Sequence, residues 1–180
     1  MVLRVRAVYG PLALETQWGI FAARYSEHGL IELLFPSSKR STFVSLTDVP
    51  QPVRSWHVRT SLVIRALLQG RKTDVPEPPL DWSAATAFQR QVWAALRNIP
   101  IGEVRTYGDV ARAIGQPKGA RAVGGACSKN PIPLLVPCHR VIAANGRLGG
   151  FQPGQRWKRQ LLKVEIQARR RATFGPSGDD

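Results

Sequence analysis

The sequence predicts an α/β chain of the α+β kind: a small amino-terminal sheet with one helix, then a mainly helical domain containing a helix-turn-helix. Three observations lead there. Apolar runs with period-two character flank the turn Ser26-Glu27-His28-Gly29. Pro76, Pro78 and Pro79 interrupt the chain near its middle and do not fit inside a helix. Beyond them, apolar stripes at helical spacing recur between capping residues.

Taken in order, residues 3–9 are rich in Val and alternate in part, which predicts a first strand. Residues 20–25 and 30–35 predict a hairpin around the Ser26-Glu27-His28-Gly29 turn, and the Ser-, Thr- and Pro-rich residues 36–52 predict a loop. Residues 54–69 place Val58, Leu62, Ile64, Leu67 and Leu68 at mixed helical spacing before Gly70, giving one helix to pack on the sheet. The stiff segment 74–81 is a natural linker, so the first domain spans 1–81. A second domain, 82–168, opens with Ser83 as cap of a helix whose inward stripe is Phe88, Val92, Ala95, Leu96 and Ile99 and which stops at Pro100. Thr106 and Asp109 have capping-box spacing and open a short helix closed by Gly115. A second helix should begin near Pro117 or Gly119 and run through Cys127. In a basic region the pair reads as a helix-turn-helix, although an antiparallel pair that only packs a core has the same pattern. Gly124 and Gly125 lower helix propensity, yet small side chains allow close approach to another surface. A last helix, 155–168, precedes a frayed, flexible basic tail, 169–180.

Composition narrows the function. A net charge of +14 and a pI near 11.2 point to a polyanionic partner, because basic groups concentrate phosphate and gain affinity by counterion release. Residues 1–81 hold ten Lys/Arg against seven Asp/Glu, and residues 82–180 hold sixteen against five, so the carboxy-terminal half faces the polyanion. A basic surface that is merely solvated is the alternative. No apolar stretch is long enough for a membrane span, and residues 1–10 alternate Arg with Val instead of forming a signal peptide's apolar block. A cytoplasmic protein with no membrane partner is expected. Cys127 and Cys138 are the only cysteines and neither belongs to a CxxC pair, so no disulfide framework or cysteine-rich metal site is expected.

Residues 130–142 carry the chemistry. Pro131, Pro133 and Pro137 fix the backbone around an apolar, strand-like run and present Cys138 on a rigid ledge. A thiol attacks as thiolate, and a neighbouring imidazole or guanidinium, such as His139 or Arg140, lowers its pKa. Glu165 lies four residues after Leu161 and eight after Trp157, on the inward stripe of the last helix. A carboxylate there needs a partner, and His139 is the candidate: Glu165 would hold it in one tautomer and make it a better base toward Cys138, directly or through water. Glu165 turned outward, or paired with Arg159, is the alternative.

Four ordered segments carry a resemblance. They are Phe88-Gln89-Arg90-Gln91-Val92-Trp93, Ile99-Pro100-Ile101-Gly102-Glu103-Val104-Arg105-Thr106-Tyr107-Gly108-Asp109, Ala120-Arg121-Ala122-Val123-Gly124-Gly125-Ala126 and Pro137-Cys138-His139-Arg140-Val141-Ile142. Together they resemble the signatures of the alkylguanine-DNA alkyltransferases, also called methylated-DNA-protein-cysteine methyltransferases, across about residues 86–166, with a looser similarity over 16–70. The resemblance implies a ribonuclease-H-like amino-terminal domain and a helix-turn-helix that enters the minor groove. It implies Cys138 as nucleophile and alkyl acceptor, with His139 and Glu165 completing a relay. Tyr107 then rotates the nucleotide and hydrogen-bonds the flipped guanine, and Asn130 braces the turn before the cysteine. Arg121 takes the place of the extruded base, and Thr106, Ala120, Gly124, Ser128 and Lys129 complete the DNA-binding set. Pro133, Arg140, Val141, Gly150, Phe151 and Gln152 line the substrate pocket. The implied partner is double-stranded DNA containing alkylated guanine, repaired once per molecule by a monomer able to cluster on DNA. Transfer from the 6-oxygen of guanine, and from the 4-oxygen of thymine, needs no cofactor.

Some positions depart from that pattern. The loop 148–154 reads as shortened and altered at its end, and Cys127 reads as a small packing residue instead of a second acceptor. The amino-terminal half has no cysteine and only His28 and His57, so the structural zinc of some relatives is not expected. Three other classes compete. An alkyltransferase-like damage sensor lacks the acceptor cysteine, a cysteine hydrolase needs an oxyanion hole, and a transcription factor has no use for a proline-framed thiol.

Overall fold

Alternating small and large apolar residues build the first of two units. The computed structural model describes residues 7–37 and 42–174. Its first unit comprises Met1–Arg65 and Thr73–Ala84, and its second Ala66–Lys72 and Ala85–Asp180. In the first, β1 (Tyr9–Thr16), β2 (Gly19–Ser26) and β3 (Gly29–Leu34) form an antiparallel sheet in that order. Leu14 pairs with Phe21 and Ala23 with Leu33, so Leu12, Leu14, Phe21, Ala23, Tyr25 and Leu33 share one buried face. The first strand thus lies later than the Val-rich run suggests. Pro11 reads as a breaker but is tolerated in an edge strand, and residues 3–6 of the expected strand lie outside the described residues.

Helix α1 (Gln51–Leu67) buries Val53, His57, Thr60, Val63 and Ile64. Val58 and Leu62, two of the apolar residues that suggest this helix, are 51% and 45% exposed. Polar residues take their place. The Tyr25 hydroxyl donates to Thr60 Oγ1 at 2.9 Å, and the two nitrogens of His57 lie 3.3 Å from that hydroxyl and 3.1 Å from the Ala13 carbonyl. The Pro-rich segment is more than a linker. Leu30 N–H donates to Pro79 O at 2.8 Å and Asp81 N–H to Leu30 O at 2.9 Å, which lays the segment alongside β3.

The second unit contains α2 (Ala87–Arg97), β4 (Arg105–Thr106), α3 (Tyr107–Ala113), α4 (Ala120–Ser128), β5 (Val141–Ile142) and α5 (Gln155–Phe174). The cap of α2 is Thr86, not Ser83, because Gln89 at N3 can return a bond to the Thr86 backbone; such a cap is worth about 1 kcal/mol. Thr106 and Asp109 cap α3 in the same reciprocal way. Val92, Leu96, Val110, Val123, Ile132 and Leu161 are buried, each contributing about 1.5–3 kcal/mol of transfer free energy. Trp93 Nε1 donates to Ala126 O at 3.0 Å, fastening α2 to α4. β4 and β5 pair in parallel, Arg105 with Val141 and Thr106 with Ile142, and so bring the start of α3 beside the chain that follows Cys138. Arg169, Arg170 and Arg171, expected in a frayed tail, lie within α5. Arg169 reaches the Gly102 carbonyl at 3.3 Å and Glu103 at 3.4 Å, and cations suit a helix carboxy terminus. Among the described residues no helix is long and apolar enough to cross a membrane.

Candidate active site

Residues 132–140 are all buried, but the run before Cys138 is a tight turn and not a strand. Val136 N–H donates to Ile132 O at 3.0 Å, and Leu134 turns at φ +78°, a conformation that costs a non-glycine residue about 1–2 kcal/mol. Asn130 secures it. Its side-chain N–H groups reach Val136 O at 2.8 Å and Cys138 Sγ at 3.1 Å, while its Oδ1 accepts the Ile132 N–H at 3.0 Å. Only an amide offers two donors and an acceptor in that arrangement.

Cys138 opens a one-turn 3-10 helix, Cys138–Arg140, and is 5% exposed. Burial pushes its thiol up to about 11; the Asn130 hydrogen bond and the positive charge of Lys158 pull the other way. The resting sulfur is therefore a thiol at neutral pH. The groups that favour its ionisation are Asn130 and Lys158, not the sequence neighbours His139 and Arg140.

The Nε2 of His139 lies 2.9 Å from Glu165 Oε1. Burial raises the Glu165 carboxyl, but hydrogen bonds and charge from His139 and Arg140 outweigh it and bring the group down to about 2. Glu165 is thus ionised and accepts, so Nε2 carries the imidazole hydrogen. Burial keeps His139 below its ordinary pKa and hence neutral, with Glu165 partly opposing. Its Nδ1 is then a bare lone pair, buried with no hydrogen-bond partner in the structure. This is the arrangement of a base ready to take a proton.

Arg140, placed in the substrate pocket by sequence, is committed elsewhere. Its Nε lies 3.0 Å from Glu165 Oε2, its Nη2 2.8 Å from Oε1, and its Nη1 donates to Ile99 O at 2.7 Å. Gly102 N–H adds a further bond to Glu165 at 3.2 Å.

Tyr107 begins α3. Burial raises its hydroxyl pKa, nearby Cys127 and Cys138 raise it further, and a hydrogen bond with the Gly150 backbone partly offsets this. The ring lies against Gly149, where an added Cβ would meet the hydroxyl at 2.6 Å. Phe151 presents its ring edge-on to His139, with centroids 6.2 Å apart.

The remaining expected residues fall into two groups. Arg121, Ser128 and Lys129 are exposed along α4, Ala120 and Gly124 are half-buried, and Thr106 is engaged as the α3 cap. Gly150 and Gln152 are exposed, whereas Pro133 and Val141 are buried. Lys158 was missed altogether. It is fully buried, and its Nζ donates to Val141 O at 2.5 Å and Gly150 O at 3.3 Å. The buried stripe of α5 is Lys158, Leu161, Leu162 and Glu165, whereas Trp157 is half-buried.

The family model for the 6-O-methylguanine DNA methyltransferase DNA-binding domain matches residues 87–167. The chain is 58% identical over 80 residues to a methylated-DNA-protein-cysteine methyltransferase of Methanosarcina acetivorans, covering 44% of this chain and 51% of the relative. It is 55% identical over 82 residues to one of Lodderomyces elongisporus, covering 45% and 41%. These matches span about half the length of the curated relatives. Among solved structures, Mycobacterium tuberculosis OGT in complex with DNA aligns with TM-score 0.66 and 36% identity, over 86% of this chain and 91% of that one.

Proposed function

Since the chain belongs to the methylated-DNA-protein-cysteine methyltransferase family, we propose that it repairs DNA by moving an alkyl group from the 6-oxygen of guanine to Cys138. The observation that carries this reading is a buried, amide-braced thiol next in the chain to a buried imidazole whose Nδ1 is unpartnered. Transfer begins with loss of the Cys138 proton to His139 Nδ1, directly or through a water. The thiolate attacks the alkyl carbon in line; a carbon–sulfur bond forms as the carbon–oxygen bond breaks. The electron pair leaves with the purine, where a Tyr107 proton stabilises it. Glu165, held ionised by its hydrogen bonds with His139 and Arg140, orients the imidazole and stabilises its cation without taking the proton. The product is a thioether, which no group in the site is equipped to hydrolyse, so each molecule acts once.

DNA recognition follows from α3 and α4 acting as a helix-turn-helix in the minor groove. The exposed face of α4, with Gly125, Ser128 and Ala122 beside Arg121, suits close approach to a narrow groove, and Arg121 fills the gap left by the everted nucleotide. The amino-terminal unit supplies a ribonuclease-H-like platform. Thymine alkylated at its 4-oxygen presents a similar leaving group and is a second substrate. The protein works as a monomer in the cytoplasm and clusters on DNA.

Incubation with an O6-methylguanine oligonucleotide should raise the intact mass by one methyl group, mapped to the Cys138 peptide. Cys138→Ala should bind the same DNA and gain nothing. A methyl group found on another residue would overturn the assignment.

A further inference from the structure

One ionisable side chain of the second unit has no place in the relay described above. Lys158 is wholly buried in the middle of the second unit, and among the described residues no carboxylate forms an ion pair with it. Two of its three N–H groups are engaged, by Val141 O at 2.5 Å and Gly150 O at 3.3 Å. Glu165, two turns further along the same face of α5, is already shared between His139 and Arg140. Burial holds the Lys158 ammonium below its ordinary range, and charge on Cys138 first and on Cys127 of α4 second works the other way, favouring the charged form. Charge on the same two thiols, after burial, also raises the Tyr107 hydroxyl of α3. A buried cation with no counter-ion is unfavourable, and ionisation of Cys138 supplies one.

We propose that Lys158 is the counter-ion of the Cys138 thiolate, a positioning residue that stabilises the charged sulfur and ties the chain after the cysteine to the loop beside Tyr107. The inference rests on Cys138 being the alkyl acceptor. His139 takes the proton and Lys158 holds the anion that remains, so the two tasks fall to separate groups. Val141 directly follows the 3-10 turn that bears Cys138, and Gly150 is bonded to the Tyr107 hydroxyl. One ammonium thus couples the position of the nucleophile to that of the leaving-group donor. When the sulfur becomes a neutral thioether, the ammonium loses its counter-charge.

The test is the pH profile of Cys138 alkylation by iodoacetamide without DNA, followed by peptide mapping to separate it from Cys127. In Lys158→Met, which keeps the length of the side chain, the midpoint should rise by about one pH unit or more, a tenfold or larger loss of thiolate at a given pH. Lys158→Gln, which keeps an N–H for Val141 O, should show the same shift, and Lys158→Arg should restore the midpoint. Transfer from O6-methylguanine DNA at neutral pH should fall by a similar factor in Met and Gln, with DNA affinity unchanged. Unshifted midpoints in the folded Met and Gln proteins overturn the proposal. Wild-type protein supplies a check that needs no variant: the Lys158 side-chain NMR titration should move down once Cys138 is methylated, and an unmoved titration overturns the proposal too. Absence of transfer from guanine in the wild type, with the iodoacetamide shift present, would count against the repair function and leave the ion pair standing.

Discussion

Replacing Gly149 by Ala puts a single methyl group against the site. The residue sits at φ +67°, and its Cβ would stand 2.6 Å from the Tyr107 hydroxyl, 3.1 Å from Cε2 and 3.3 Å from Cζ. Ordinary contact begins at 3.4 Å, so the phenol must retreat by about 0.8 Å. The left-handed backbone costs an alanine about 1–2 kcal/mol, and forcing the ring aside adds about 1–3 kcal/mol. Gly115→Ala isolates the first cost, because Gly115 has φ +71° and nothing within 4 Å of its Cβ position. In urea denaturation Gly149→Ala should lose more stability than Gly115→Ala, by about 1–3 kcal/mol. Displacement of a reacting group by nearly 1 Å costs up to about a hundredfold in rate, so single-turnover transfer should fall by about 10–100-fold. Adding Tyr107→Phe removes the closest overlapping atom. The double variant should recover stability toward the Gly115→Ala level while its transfer stays slow. If Gly149→Ala is no less stable than Gly115→Ala, or transfers at the wild-type rate, the placement of Tyr107 against this loop is wrong.

Glu165→Gln leaves the Arg140 guanidinium buried without its anion and should cost about 3–5 kcal/mol. It should slow transfer at neutral pH more than it weakens DNA binding; equal effects would show that Glu165 is only structural. Because the Glu165 carboxyl is lowered from 4.5 to about 2 in the fold, its stabilisation is complete above the ordinary carboxylate range and fades as pH falls toward 2. Acid denaturation of Glu165→Gln should lack that limb. His139 is held below 6.5, so the base is neutral above that value and is lost as acid protonates it. The transfer rate should be flat from neutral pH upward and fall in acid, whereas a steady rise toward the thiol's own value near 11 would show that His139 is not the base. Gly125→Ala meets nothing within 4 Å and should stabilise α4 by about 0.5–1 kcal/mol. If that helix face approaches DNA closely, the same change should weaken binding in a fluorescence-anisotropy titration; unchanged affinity would remove α4 from the interface.

The hairpin, the α3 capping box and the extent of α4 were legible because each depends on local chemistry: alternation, a hydroxyl with a carboxylate three residues on, and glycine near a helix start. The extent of β1 was not legible in the partial alternation over residues 3–9, because the strand continues through Pro11, a residue that only an edge strand accepts. The inward face of α1 was not legible because His57 and Thr60 occupy core positions through hydrogen bonds to Tyr25 and Ala13, partners that only the folded sheet brings near. Lys158 was invisible for a related reason. A lysine on the stripe with Leu161 and Glu165 reads as solvent-facing until Val141 and Gly150 are seen to hold it. The need of an inward-facing carboxylate for a partner singled out His139, but the fork of Arg140 on the same carboxylate is a contact between distant residues, and no spacing rule foretells it. The state of the sulfur is likewise a property of the fold, since burial and not sequence adjacency sets its titration.

The central claim is that one sulfur accepts one alkyl group and is then spent. With O6-methylguanine DNA in excess, the guanine restored should plateau at one equivalent per protein chain, with all the methyl recovered on Cys138. Continued restoration beyond that plateau, or a plateau reached with Cys138 unmodified, would contradict the account.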